Sequence, residues 1–133
     1  MLAELVDVVR LSLHVLAATV WVGGQITLAA LVPALRAVSD AAPRAAARRF
    51  TPVAWTAYVI LVLTGAWNVV VEQPDATSAW NTALVVKVGV VAASGTTAFL
   101  HGRARSTAGL AIYGALSGLT ALAAVVVGVL LAG

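Results

Sequence analysis

The sequence contains no cysteine, and its single methionine is Met1. The absence of cysteine excludes a disulfide framework, thiolate metal ligation and thiol redox chemistry. Charged residues are also scarce, at 10% of the 133 positions, whereas soluble domains carry about 25%. Hydrophobic residues make up 62% of the chain, which is more apolar surface than a soluble domain of this length can bury. These shortages predict an integral membrane protein.

Four apolar segments account for most of the chain, and short polar connectors separate them. Each segment approaches the length of about 20 residues that a helix needs to cross a bilayer. The predicted spans cover approximately residues 11–35, 53–71, 80–100 and 107–132. We therefore predict an all-α fold, an integral membrane four-helix bundle that forms a single domain over residues 1–133.

Basic residues are concentrated in the first and third connectors, whereas the second connector carries only the acids Glu72 and Asp75. The basic residues in question are Arg36, Arg44, Arg48, Arg49, Arg103 and Arg105. The positive-inside rule then predicts that both termini are extracytoplasmic. With four spans, we expect a multi-pass protein, and we place it in the bacterial inner membrane. The same rule accounts for the net charge of +3, so we predict no nucleic-acid partner.

Polar residues within the spans fall on one face of each predicted helix. In the first span, His14, Trp21 and Gln25 share a face with Ala18, and Asp7 and Leu11 extend it outward. The other three faces contain Trp55, Tyr58, Gly65 and Asn68; Lys87, Ser94, Thr97 and His101; and Ser106, Tyr113, Ser117 and Thr120. Because lipid offers no hydrogen bonds, we expect all four faces to point inward. Ordinary hydrogen bonding between helices, worth about 0.6 kcal/mol per group, explains why serines and threonines occur on these faces.

His14 and Lys87 are the residues that ordinary packing explains least. An ammonium group inside an apolar span costs at least a few kcal/mol unless it is paired, neutralised or turned toward protein. The two residues lie at depths that differ by only about 5 Å, so we predict one pocket around them in the outer half of the bundle. The residues predicted to line this pocket are Trp21, Gln25, Trp55 and Tyr58. The alternatives are a hydrogen-bonded interfacial histidine and a lysine that snorkels to the outer headgroups.

The remaining features concern the inner boundary and the packing between helices. His101 adjoins Gly102 and Arg103 at the inner boundary, which favours an interfacial role. Gly114 and Gly118 form a GxxxG pair in the fourth span. Such a pair predicts that a helix packs closely there, within the bundle or across a homodimer or larger membrane complex.

Residues 13–24 read L-H-V-L-A-A-T-V-W-V-G-G, and residues 31–36 read L-V-P-A-L-R. This segment resembles the copper-resistance D (CopD-like) membrane domain, whose spans often read L-H-x-L-A-x-x-x-W-x-G-G and end near a proline and an arginine. The T-G-x-W-N run at residues 64–68 and the L-V-V-K run at residues 84–87 look like later parts of the same domain. The resemblance covers the whole chain and implies a role in copper uptake or tolerance.

An early histidine, a following tryptophan and a lysine two spans later are also similar to the HemJ-type protoporphyrinogen oxidases. The matching positions are His14, Trp21 and Lys87. This resemblance implies a bound haem b with the histidine and the lysine involved. The chain departs from that group because the larger set of flanking histidines and tyrosines is missing, which argues against porphyrinogen oxidation.

Ligand chemistry separates the two cofactors. Copper(I) prefers thiolate and thioether, which this chain lacks apart from Met1. A neutral imidazole binds copper or haem iron, and a neutral amine can serve as a second axial ligand. We therefore expect haem b or copper, with His14 as the metal ligand. A copper(II) site built from His14, the N-terminal amine and Asp7 or Glu4 is the shallow alternative.

Three classes of function remain open from the sequence. The first is a copper-handling or haem-carrying membrane protein, the second a non-catalytic accessory or assembly subunit, and the third a small ion transporter that uses Lys87. No Ser/His/Asp, HExxH or phosphate-loop motif occurs, which argues against hydrolytic and nucleotide chemistry. The sequence assigns no catalytic residue and leaves open whether the protein is an enzyme.

Overall fold

The structure, a computed structural model, describes residues 1–72 and 77–133. Its helices are α1 (Leu2–Ala18), a π-helical turn (Thr19–Gly23), α2 (Gly24–Val38), α3 (Ala42–Glu72), α4 (Ser78–Arg103) and α5 (Thr107–Ala132). The described residues contain no strand. The predicted all-α fold with four long apolar helices is therefore confirmed.

Four helical segments are long and apolar enough to cross a membrane. The first runs without interruption through α1, the π-helical turn and α2, from Leu2 to Val38. Two of the helices start well before the predicted spans. Helix α1 begins at Leu2 and not near residue 11, and α3 begins at Ala42 and not near residue 53. Helical hydrogen bonding continues beyond the apolar run of each helix, where hydropathy no longer marks the helix. The protein is a multi-pass membrane protein in contact with the lipid bilayer.

Side-chain hydroxyl groups mark the helix boundaries. Ser39 Oγ accepts a hydrogen bond from the Ala42 backbone N–H at 3.1 Å. Thr77 Oγ1 accepts from the Trp80 N–H at 3.1 Å, and Ser106 Oγ accepts from the Gly109 N–H at 3.0 Å. Each bond satisfies a donor that has no partner in the first turn of a helix. Within the second predicted connector, Gln73, Pro74 and Asp75 lie outside the described residues.

The described residues form two compact units, one up to residue 72 and the other from residue 77 onward. In the first unit α1 packs along α3, and the small side chains of Ala17, Ala54 and Ala57 are buried there. Small residues at such contacts let two helix backbones approach closely. The single four-helix domain proposed for residues 1–133 stays a prediction.

The second unit is the pair α4 and α5, which contact one another along their length. Ser94 Oγ donates to the Ser117 carbonyl, and Ser117 Oγ donates to the Ser94 carbonyl, each at 3.3 Å. Both serines are buried. This reciprocal pair is the ordinary hydrogen bonding between helices that the sequence predicted for these positions.

Candidate functional site

His14 lies on the inner face of α1 and bonds to α3. Its Nδ1 is 2.8 Å from Oγ1 of Thr64, whose hydroxyl lies 2.7 Å from the Ile60 carbonyl oxygen. A hydroxyl has one proton, and the Ile60 carbonyl can only accept, so Thr64 Oγ1 accepts from His14 Nδ1–H. In a neutral ring with this tautomer, Nε2 is the nitrogen through which an imidazole can bind a metal.

Gly65 gives the His14 ring its space beside α3. A methyl group on Gly65 would lie 3.4 Å from His14 Cε1 and 3.9 Å from Nδ1. The Thr64-Gly65 dipeptide therefore provides both a hydrogen-bond acceptor and a surface without a side chain for the ring. These contacts give a physical reason for the T-G sequence noted above.

Three aromatic side chains pack together where the π-helical turn after α1 meets α3. The Trp21 ring centroid lies 4.6 Å from that of Tyr58 and 5.6 Å from that of Trp55. Trp55 and Tyr58 contact one another edge to face at 5.5 Å. Such geometries add about 0.5–1.5 kcal/mol per pair beyond the area that they bury. The aromatic cluster of Trp21, Trp55 and Tyr58 therefore stabilises the contact of the first helical segment, Leu2–Val38, with α3.

Trp21 occupies the π-helical turn Thr19–Gly23, and Gln25 follows it in α2. Gln25 Nε2 donates to the Trp21 carbonyl oxygen at 3.0 Å. Single π-helical turns inside α-helices occur frequently at functional sites. Trp21 lies seven residues after His14, about 10 Å along the helix axis. The structure thus brings Trp21, Gln25, Trp55 and Tyr58 together, with His14 two turns away in the same unit.

Arg10 is a buried cation that sequence reasoning missed. Its residue exposure is 3%, and it bonds to Asp7 at 3.1 Å and to the Asn68 side-chain carbonyl. Glu72 lies at 4.0 Å from its guanidinium. Two signals could have identified this cluster: Asp7 precedes Arg10 by one turn, and Asn68 and Glu72 are also one turn apart. The Arg10 cluster connects the middle of α1 to the end of α3, one turn before His14.

The Arg10 cluster corrects one detail of the predicted inner face of α1. That face passes through Arg10 and Ala17, not through Leu11, which is 45% exposed. Ala17 is more deeply buried than Ala18. The pattern of polar residues misplaced the face because an exposed apolar side chain costs little when lipid surrounds the helix.

Lys87 belongs to the second unit, where it packs against α5. Its Nζ lies 3.2 Å from the place that a Cβ on Gly128 would occupy, and its Cε lies 3.7 Å from that place. Glycine at this position leaves room for the lysine stem beside the neighbouring helix. Whether Lys87 shares a pocket with His14 stays a prediction, as does its participation in cofactor binding.

His101 forms a hydrogen bond from the end of α4 to the start of α5. Its Nδ1 lies 2.8 Å from the Leu110 carbonyl oxygen, so Nδ1 carries the donated proton. A methyl group on Gly114 would lie 3.0 Å from His101 Cε1. Gly114 therefore accommodates a histidine of its own chain, whereas no described residue lies within 4 Å of the place that a Cβ on Gly118 would occupy. The predicted homodimer contact through Gly114 and Gly118 stays a prediction.

The donor set around His14 bears on which cofactor fits. Residues 1–72 and 77–133 contain no group of three His, Cys, Asp or Glu side chains placed to hold a metal ion. Asp7 contacts Arg10, and Glu4 lies 3.9 Å from the N-terminal ammonium. A bare ion needs several protein ligands, whereas haem iron needs only one or two. Whether the site holds haem b or copper stays a prediction.

Comparison with known proteins found no matching family model, no matching curated protein and no matching solved structure. The resemblances to the CopD-like domain and to the HemJ-type oxidases therefore stay predictions from short motifs.

Proposed function

We propose that this chain is a redox protein of the bacterial inner membrane that carries haem b, with His14 as an axial ligand of the iron. The supporting observation is the contact of 2.8 Å between His14 Nδ1 and Thr64 Oγ1. A histidine that ligates a metal usually donates its other ring N–H to an oxygen, which holds the ring orientation and raises the basicity of the ligating nitrogen. His14 has this arrangement. The described residues contain no group of three His, Cys, Asp or Glu side chains that could hold a metal ion instead.

The chain's own residues would prepare the site in three ways. Thr64 fixes the tautomer, Gly65 provides space for the ring, and the aromatic cluster supplies apolar surface on the same pair of helices. Bound haem would supply one-electron transfer.

The proposal includes an orientation in which both termini are extracytoplasmic. The connector between α2 and α3 carries arginines, and such short basic loops remain in the cytoplasm. His14 then lies in the outer half of the membrane, and an electron partner would approach from the extracytoplasmic side or within the membrane.

An absorption spectrum and a metal analysis of gently purified protein test the proposal. The protein is expressed with iron and copper supplied, and we expect a Soret band with stoichiometric iron. His14→Ala should abolish this band because alanine offers no ligand. His101→Ala is the matched control, since it removes the other histidine, which bonds within the second unit, and it should retain the band.

Thr64→Val tests the supporting contact itself. Valine keeps the volume of threonine but cannot accept from Nδ1, so we expect cofactor affinity to fall by about 10- to 100-fold. Lys87→Met tests the predicted participation of the amine, which would shift the spectrum without removing the histidine ligand. Protein that holds neither metal would exclude the cofactor and favour the accessory-subunit alternative. Copper in place of iron would instead assign the role that the CopD-like resemblance implies.

A further inference from the structure

An open apolar groove of about 420 Å³ runs between α1 and α3 in the first unit. Its walls include Leu13 and Leu16 from α1, Val20 from the π-helical turn, and Val53, Thr56 and Ile60 from α3. The Thr56 hydroxyl is bonded to the Pro52 carbonyl at 2.8 Å, so the hydroxyl adds little polarity to the groove. A groove of this kind attracts hydrocarbon and offers few partners to a polar ligand.

Two arginines lie on the same face of α3 as the groove residues, one turn beyond the end of the groove. Arg49 precedes Val53 by one turn, and Arg48 precedes Pro52 by one turn. Both arginines are exposed, and neither forms an ion pair with an acid among the described residues. Their charges are therefore uncompensated by the described part of the chain.

The dimensions of the groove and of the arginine pair match one leaflet of a bilayer. From the level of Ile60 to the level of Arg49 the helix rises about 16 Å. The hydrocarbon of one leaflet is roughly 15 Å thick. A lipid whose acyl chain reached the level of Ile60 would place its phosphate near Arg48 and Arg49.

We propose that this groove is a binding site for one anionic glycerophospholipid, with an acyl chain between α1 and α3 and the phosphate on Arg48 and Arg49. Charge complementarity selects this occupant. Guanidinium groups bind phosphate through paired hydrogen bonds, and each basic residue near a membrane surface strengthens the attraction of anionic lipid. The proposal is independent of the haem cofactor and of the direction in which the chain crosses the membrane.

Native mass spectrometry of the full chain tests the site. The protein is equilibrated with vesicles of equal parts phosphatidylglycerol and phosphatidylcholine and then released into a mild detergent. We expect one retained lipid per chain, predominantly phosphatidylglycerol. The Arg48→Gln/Arg49→Gln variant should lose about 25-fold of this preference, because each arginine contributes a factor of about five. The Arg103→Gln/Arg105→Gln variant removes the same charge elsewhere and should keep the preference.

A second pair of variants tests the groove. Val53→Trp fills it, whereas Val59→Trp adds the same side chain on α3 at a position that does not line it. The two valines are matched, at 53% and 54% exposed. We expect the Val53→Trp protein to lose most of its bound lipid, whether phosphatidylglycerol or phosphatidylcholine. The Val59→Trp protein should retain its bound lipid. If Val53→Trp fails to fold by circular dichroism, the comparison of the arginine pairs still decides the question.

Three results would overturn the proposal. The first is equal retention of the two lipids by the unaltered protein. The second is equal loss of lipid from the two tryptophan variants. The third is a dimer without lipid that Val53→Trp converts to monomers, because a second copy of the chain would then occupy the groove.

Discussion

Replacing Gly114 and Gly118 separately by alanine should have clearly different effects on stability. Both glycines lie in α5, so the gain in helix propensity, about 0.5–1 kcal/mol in water, should be similar for the two variants. Their surroundings differ. A Cβ on Gly114 would lie 3.0 Å from His101 Cε1 and 3.1 Å from Nδ1, whereas a Cβ on Gly118 would have no atom of the described residues 1–72 and 77–133 within 4 Å.

The magnitude follows from how far the His101 ring must move. Restoring an ordinary contact of about 3.5 Å requires a shift of about half an ångström away from α5. The Leu110 acceptor is also on α5, so the bond of 2.8 Å would lengthen to about 3.3 Å, beyond the usual range. Losing most of this bond costs about 1 kcal/mol. With the residual strain of overpacking, Gly114→Ala should be less stable than Gly118→Ala by about 1–2 kcal/mol.

Unfolding by sodium dodecyl sulfate in dilute mixed micelles, followed by circular dichroism, measures this difference. The same two substitutions in a His101→Ala background complete a double-mutant cycle. Without the histidine ring, the two alanine variants should have the same stability to within about 0.5 kcal/mol. Equal stabilities in the presence of His101, or an undiminished difference in its absence, would refute the reasoning.

The remaining predictions concern the Arg10 cluster, the orientation and the oligomer. Arg10→Leu should lower the free energy of unfolding by about 1–3 kcal/mol, since it removes the part-buried hydrogen bonds that the charged guanidinium makes to Asp7 and Asn68. The exposed control Arg36→Leu should change it little, and equal effects of the two substitutions would contradict a structural role for the cluster. A single cysteine at Arg44 should react with an impermeant thiol reagent only from the cytoplasmic side, and one at Leu2 only from outside. Gly118→Ile should convert the predicted homodimer to monomers in light scattering; an unchanged mass would rule out this contact.

Much of the fold could be predicted because lipid imposes a simple pattern. Each span needs a long apolar run, and each hydrogen-bonding group needs a partner inside the protein. Ser94 and Ser117 were both predicted to face inward, and they bond to one another. Helix ends were predicted less well, because a helix such as α3 continues past the point where the apolar run ends.

The candidate site shows where prediction from sequence stops. His14 was identified because a histidine inside an apolar span is unusual. Its partner Thr64 was not identified, because the pairing depends on the register of α1 against α3, which no local pattern specifies. The π-helical turn at Trp21 was also missed, because its residues are as apolar as those of the neighbouring helix.

The two histidines have the same local arrangement but different surroundings, and the difference favours His14 as the ligand. Each donates from Nδ1 to an oxygen on a neighbouring helix and lies against a glycine there. His14 is twelve residues into α1, about 18 Å from its start, within an apolar helix pair. His101 is two residues from the end of α4, beside the exposed Arg103. Water and fixed positive charge at such a boundary oppose the binding of a cationic metal centre. Both rings are half-buried, so their position along the helix, and not their burial, is the reason why the proposal assigns the ligand to His14.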